Sequence, residues 1–196
     1  MRARKAIVER KTGETAITLD MILDGDGGFK IDTGIPFLDH MLSAFAKHGK
    51  FDLKLRAKGD VEVDEHHTLE DTGIVLGEAF LKALGKKKGI NRFGWAYVPM
   101  DEALALVVVD ISGRPYLSFN VGFSRKRKEK FNPELVEEFM RSFVNESRMT
   151  VHINMVYGKD NHHMIEAVFK AFGLALDQAT QIDPRVKSIP STKGRL

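Results

Sequence analysis

Polar and apolar residues alternate over 5–11 and again over 14–23, either side of the turn Lys11-Thr12-Gly13, which predicts two strands. Asp24-Gly25-Asp26-Gly27-Gly28 reads as a glycine-rich turn into a third strand over 28–32. It lacks the spacing and closing glutamate of a calcium loop. The period then changes. Leu38, Met41, Leu42 and Phe45 repeat at helical spacing, so a helix is expected from Pro36 to about Lys47. Phe51, Leu53 and Leu55 alternate as a strand, and a second helix runs from about His67 to Leu84.

The same order then returns. Strands are predicted over 95–99, 102–111 and 115–121, and a helix from near Pro133 to about Asn145. Met149, Val151 and Ile153 alternate, and a last helix runs from about His162 to Thr180. The correspondence is residue by residue. Leu38, Met41, Leu42 and Phe45 match Val136, Phe139, Met140 and Phe143 at an offset of 98, as Phe51, Leu53 and Leu55 match Met149, Val151 and Ile153. A shorter loop in the second copy lowers the offset to 96, where Gly77, Ala79 and Ala83 match Gly173, Ala175 and Ala179. The expectation is an α+β fold of two βββαβα halves, 1–92 and 93–196, joined in one catalytic domain. Both helices of each half pack on one face of its sheet.

The duplication carries chemistry. His66-His67-Thr68-Leu69-Glu70 returns as His162-His163-Met164-Ile165-Glu166, so four of the seven histidines sit in two pentapeptides. On a helix, i and i+4 share a face, which puts His66 beside Glu70 and His162 beside Glu166. The second histidine of each pair is turned by about 100° and can reach a different ion. His40, on the first helix, has Glu138 as its counterpart at offset 98, and both residue types ligate metals. A pseudo-two-fold then suggests two sites: His40, His67, His162 and Glu166; and Glu138, His163, His66 and Glu70. With nitrogen and oxygen ligands and no sulfur, they suit six-coordinate Mn²⁺ or Fe²⁺ better than a closed structural zinc, with Zn²⁺ and Co²⁺ also open.

Composition narrows the setting. The chain has 43% hydrophobic and 29% charged residues, as soluble globular proteins do. No run approaches about 18 uninterrupted apolar residues, so no membrane span is expected. The basic start Met1-Arg2-Ala3-Arg4-Lys5-Ala6 has no apolar run behind it, so no signal peptide is expected. With no cysteine there is no disulfide or thiolate site, and a cytoplasmic location is expected. The net charge of +3 suits an anionic small substrate or nucleic acid alike.

Several basic residues could hold a phosphate: Arg92, Arg114 in the turn Ser112-Gly113-Arg114-Pro115, Lys170 two turns beyond His163, and Lys193 in Pro190-Ser191-Thr192-Lys193-Gly194. The run Arg125-Lys126-Arg127-Lys128-Glu129-Lys130 reads as an exposed loop, without the interleaved aromatics of a nucleic-acid site. From residues alone a dinuclear metal hydrolase and a metal-storage shell remain open beside a metal-dependent lyase. The ferritin-like storage bundle would have Glu-x-x-His where this chain has the reverse order.

Phe37-Leu38-Asp39-His40-Met41, Asp64-Glu65-His66-His67-Thr68-Leu69-Glu70-Asp71, Ser112-Gly113-Arg114-Pro115, Asn161-His162-His163-Met164-Ile165-Glu166-Ala167 and the tail motif together resemble the imidazoleglycerol-phosphate dehydratase family over essentially the whole chain. The resemblance implies a lyase of histidine biosynthesis. It would dehydrate imidazoleglycerol phosphate to imidazole acetol phosphate through a metal-bound imidazolate and a diazafulvene-like intermediate. It implies two Mn²⁺ per active site, held by His40, His66, His67, Glu70, His162, His163 and Glu166. Glu138 stands where many members have histidine. Glu14 takes the acid/base position. Arg92, Arg114, Lys170, Ser191, Thr192 and Lys193 take the phosphate-binding positions, and His48 a substrate-contacting one. The resemblance also implies a homo-oligomer of twenty-four chains in cubic symmetry, with active sites where subunits meet and no nucleic-acid or membrane partner.

Overall fold

The computed structural model describes residues 3–124 and 131–196; the run 125–130, read above as a loop, lies outside the described residues. The first half is β1 (Lys5–Lys11), β2 (Thr15–Ile22), β3 (Phe29–Asp32), α1 (Pro36–Gly49), β4 (Asp52–Gly59) and α2 (Glu65–Leu84). The second is β5 (Phe93–Met100), β6 (Ala103–Asp110), β7 (Tyr116–Asn120), α3 (Leu135–Ser147), β8 (Thr150–Tyr157) and α4 (Asn161–Thr180). The α+β duplication is therefore present element for element.

The two long helices start a residue or two earlier than apolar spacing predicts. Asp64 and Asp160 are the reason. Each is an extended N-cap whose side chain accepts the backbone N–H two residues on, from His66 and His162 respectively, at 2.9 Å. The capping places both His-His pairs inside the first helical turn. α3 starts at Leu135, two residues past Pro133, with no side-chain cap.

Each half forms a four-stranded sheet, ordered β1-β2-β4-β3 and β5-β6-β8-β7. β1/β2 and β2/β4 are antiparallel; β3 runs parallel to β4, with α1 as the crossover, and the second half repeats this. Ile17, Leu19, Met21, Leu53 and Leu55 point to the buried face of the first sheet, and Val107, Val109, Val151 and Ile153 to that of the second.

The helices face each other across the halves, with the sheets outside them. α1 packs on α4, and α3 packs on α2. Phe45 meets Phe51, Phe80 and Phe172, and Phe143 meets Phe80 and Phe172, so buried rings from both halves share one core. Two glycines permit the close crossings. A Cβ on Gly173 would lie 2.5 Å from the Phe45 carbonyl oxygen, and one on Gly77 would lie 2.5 Å from that of Phe143. The two contacts are counterparts, so the crossing itself is duplicated. It brings the N-terminal part of α1, which carries His40, against the first turns of α4.

Candidate metal centre and phosphate end

Three predicted ligands meet at that crossing. His40 Nε2 lies 3.3 Å and His162 Nε2 3.2 Å from the same oxygen, Oε2 of Glu166. Among the described residues these three form the group whose ligand atoms all lie within 4.8 Å of one another. Lys170 Nζ stands 2.6 Å from the other carboxylate oxygen. Burial pushes Glu166 up, but Lys170 and His40 outweigh it and hold the carboxyl below its ordinary value. Phe37 sets its ring edge-on to His162. A pocket of about 770 Å³, lined in part by Ile35, Pro36, Phe37, His40 and His162, opens beside the cluster. Two imidazole nitrogens and a carboxylate converging without sulfur are a fitting donor set for a divalent ion with open positions.

The equivalent place in the first half has His66 Nε2 3.5 Å from Glu70 Oε2. Among the described residues Glu138 does not join a compact cluster there; its carboxylate lies 4.0 Å from Arg141.

The second histidines stand apart from both groups. His67 Nδ1 is 3.3 Å from both oxygens of Asp60 and 3.9 Å from Glu14. His163 Nδ1 is 2.7 Å from Glu102 Oε2, and its Nε2 is 3.7 Å from Asp101. These carboxylates raise the pKa of both imidazoles, with Asp60 dominant for His67 and Glu102 for His163. His163 first, and the backbone N–H groups of Asp160, Glu102 itself and Lys159, in turn lower Glu102 to about 2. Among the described residues the first set suggested by the pseudo-two-fold therefore appears within one chain as His40, His162 and Glu166, short of His67, and the second as His66 and Glu70, short of both His163 and Glu138.

His48 lies two turns along α1 from His40. Its pKa is lowered by burial first and the Lys170 charge second. Lys170 faces Glu166, so the structure places it at the His40–His162–Glu166 cluster, one turn beyond Glu166 on α4. The other basic residues gather around the tail. Arg92 donates twice to Asp110, at 2.7 and 3.1 Å, and once to the Pro190 carbonyl at 2.9 Å. Gly113, next to Arg114, lies under Leu196 at the chain end. Ser191 folds the tail locally, accepting from the Lys193 N–H at 3.2 Å. Among the described residues neither Arg114 nor Lys193 has a carboxylate partner, so both present open charge. Glu14 sits in the β1–β2 turn, its N–H donating to the Thr12 hydroxyl at 3.1 Å and its side chain 57% exposed.

Asp60, Asp101 and Glu102 were not singled out by sequence. A signal was present: aligning the β1–β2 and β5–β6 hairpins, rather than the helices, sets Glu102 against Glu14.

The family model for imidazoleglycerol-phosphate dehydratase matches residues 33–176. An imidazoleglycerol-phosphate dehydratase from Geobacillus kaustophilus is 56% identical over 194 residues, covering 99% of this chain and all of the relative. One from Bacillus subtilis is 58% identical over 193 residues, covering 98% of this chain and all of the relative. The crystal structure of the Staphylococcus aureus protein of that name superposes with a TM-score of 0.80 at 44% identity, covering 91% of this chain and 99% of that one. That of IGPD from Pyrococcus furiosus superposes with a TM-score of 0.84 at 38% identity, covering 96% of this chain and all of that one.

Proposed function

The chain belongs to the imidazoleglycerol-phosphate dehydratase family, and from that premise we propose that it is a Mn²⁺-dependent hydro-lyase converting imidazoleglycerol phosphate to imidazole acetol phosphate in histidine biosynthesis. The observation that carries the metal dependence is the convergence of His40, His162 and Glu166 on one point, beside a pocket, with a pseudo-equivalent His66–Glu70 pair in the other half. The reaction removes a hydroxyl and a carbon-bound proton as water. The difficulty is negative charge on the substrate. Divalent ions on the two ring nitrogens would stabilise that charge as Lewis acids.

The chain's residues do the rest. His40, His162 and Glu166 hold one ion; His66 and Glu70, with Glu138, hold the other. His67 and His163 complete the two shells. Since among the described residues neither joins a compact cluster in its own chain, the sites close when another copy supplies these histidines. The outward face of the second sheet supports such assembly. Phe93, Trp95, Tyr97 and Tyr116 there are half or more exposed, whereas the first sheet turns Lys54, Arg56 and Lys58 outward. A homo-oligomer of twenty-four chains fits this need. Glu14, at the tip of its turn and without a side-chain hydrogen bond among the described residues, moves the proton. Arg114 and Lys193 supply charge to the phosphate, Ser191 and Thr192 supply hydroxyls, and Arg92 ties the tail down beside them. His48, at the end of α1, and Lys170, midway along α4, line the side of the cluster where substrate passes. Among the described residues no helix is long and apolar enough to cross a membrane, and we place the enzyme in the cytoplasm.

The test is turnover of imidazoleglycerol phosphate by chelator-stripped protein, with and without added Mn²⁺. Activity that appears only with metal supports the reading. Inactivity with Mn²⁺ demonstrably bound rejects it.

A further inference from the structure

The duplication extends to single turns. Thr12 and Thr15 close the β1–β2 hairpin, as Met100 and Ala103 close β5–β6. Leu19 pairs with Leu55, and their counterparts Val107 and Ile153 pair likewise. In this register Glu14 and Glu102 are the same residue of the two halves. Each stands beside the second histidine of its own half.

Their engagement differs. Glu102 is pinned. Its Oε2 takes the His163 imidazole at 2.7 Å, and its Oε1 accepts the N–H of Lys159 at 3.1 Å and of Asp160 at 2.8 Å. Among the described residues the Glu14 side chain has only His67 Nδ1, at 3.9 Å.

The cause is the loop ahead of the last helix of each half. Gly59 and Gly158 are counterparts: a Cβ on either would strike the equivalent helix residue, Thr68 or Met164. After Gly59 come five residues, 60–64, beginning with Asp60; after Gly158 come two, Lys159 and Asp160. Asp60 holds His67 Nδ1 with both oxygens at 3.3 Å. The second half has lysine at the corresponding place, so the turn glutamate itself holds the imidazole.

We propose that Asp60 and Glu102 are positioning residues that hold His67 and His163 by Nδ1 and present Nε2 to a metal ion, and that Asp60 thereby leaves Glu14 free for proton transfer. This rests on the functional reading above. A carboxylate behind a metal-bound imidazole fixes its tautomer and raises its basicity. Duplication supplied two turn glutamates, and the longer loop releases one of them.

Two variant pairs test it. Glu102→Ala should weaken Mn²⁺ binding by about 10–100-fold, and Glu102→Gln, which still offers an acceptor oxygen, should restore most of it. Asp60→Ala should keep its Mn²⁺, because Glu14 closes onto His67, while kcat falls by about 10-fold or more at little-changed KM. Asp60→Asn should recover kcat. Wild-type Mn²⁺ affinity in Glu102→Ala, or unchanged kcat or lost metal in Asp60→Ala, overturns the proposal. A readout independent of the functional reading is the His163 tautomer in metal-free protein, followed by nitrogen NMR. Protonation at Nδ1 in the wild type that is lost in Glu102→Ala is expected; the same tautomer mixture in both overturns the positioning role even if the protein proves not to be a dehydratase.

Discussion

Lys170 Nζ lies 2.6 Å from Glu166 Oε1, while Oε2 of the same carboxylate faces His40 and His162. The pair is largely buried, with side-chain exposures of 19% and 9%. In the metal-free protein Lys170 is therefore the main cation opposing a carboxylate whose charged form burial disfavours. Removing one partner of such a pair leaves the other uncompensated, at a cost of about 3–5 kcal/mol. We expect Lys170→Met to lower the melting temperature of metal-free protein markedly, and added Mn²⁺ to recover most of the loss by supplying positive charge at the same carboxylate. Calorimetry with and without metal checks this. A loss that Mn²⁺ does not reduce counts against a metal at Glu166.

The duplicated helix crossing makes a second demand. At Gly173 a methyl would lie 2.5 Å from the Phe45 carbonyl oxygen and 3.0 Å from the Gly49 nitrogen, and both are backbone atoms that cannot swing aside. Gly173→Ala and Gly77→Ala should each cost at least about 1–3 kcal/mol through forced separation of the helices. At Gly122 a methyl would meet no described atom within 4 Å, so Gly122→Ala should stay within about 0.5 kcal/mol. Denaturant midpoints compare the three. Equal midpoints would show that the helices do not pack this closely.

The two halves were readable because their apolar residues keep both a period and an order. Leu38 to Phe45 and Val136 to Phe143 must face the same kind of core, so burial imposes the same spacing twice. The His-Glu pairs were readable because i and i+4 is a local relation, fixed once a helix is assigned. The partners of His67 and His163 were not. Asp60 and Glu102 reach them from a loop and a hairpin, and that proximity depends on strand register and loop length rather than on helical spacing. Arg92 was similarly half legible: a guanidinium near a turn suggests an anion, but its bidentate hold on Asp110 comes from the pairing of β5 with β6.

Glu14 offers a clean separation of roles. Its side chain is 57% exposed, and among the described residues its one ion-pair contact is His67 Nδ1 at 3.9 Å. We expect Glu14→Gln to retain metal content and assembly while turnover drops by about 10²–10⁴-fold, the range for loss of a general acid–base. Metal analysis, light scattering and steady-state kinetics on one preparation decide it. Near-normal turnover would remove Glu14 from the proton path.

Acid should loosen the chain start. Arg4 bonds both oxygens of Asp24, Nε at 3.0 Å and Nη2 at 2.5 Å, and its remaining nitrogen donates to the Thr180 carbonyl at the end of α4. The Arg4 side-chain hydrogen bond is the main reason the Asp24 pKa falls below 3.8. A carboxyl depressed in the folded state binds fewer protons there than in the unfolded chain. Its contribution is therefore full above 3.8 and is lost as the pH falls through the lower folded value. The stability gap between wild type and Asp24→Asn should be constant at neutral pH and close in strong acid. Because Asp24 is partly exposed, high salt should narrow the gap as well. A gap that widens on acidification would contradict the assignment.

Subunit closure can be read without a structure of the assembly. His40 sits in the compact cluster with His162 and Glu166, whereas His67 is held at Asp60, outside it. If each site takes His40 from one copy and His67 from another, His40→Ala and His67→Ala chains damage different partners of the same site. Each variant alone should lack turnover and lose metal. After co-dissociation by chelator and reassembly with Mn²⁺, some sites will pair the intact His40 of one variant with the intact His67 of the other. Activity should then return in proportion to the product of the two chain fractions, peaking at equal mixing. Sites closed within one chain would give no recovery at any ratio, because every chain carries its own lesion. Native mass spectrometry of the mixtures confirms that the chains have exchanged, so that absent recovery is a result about the site.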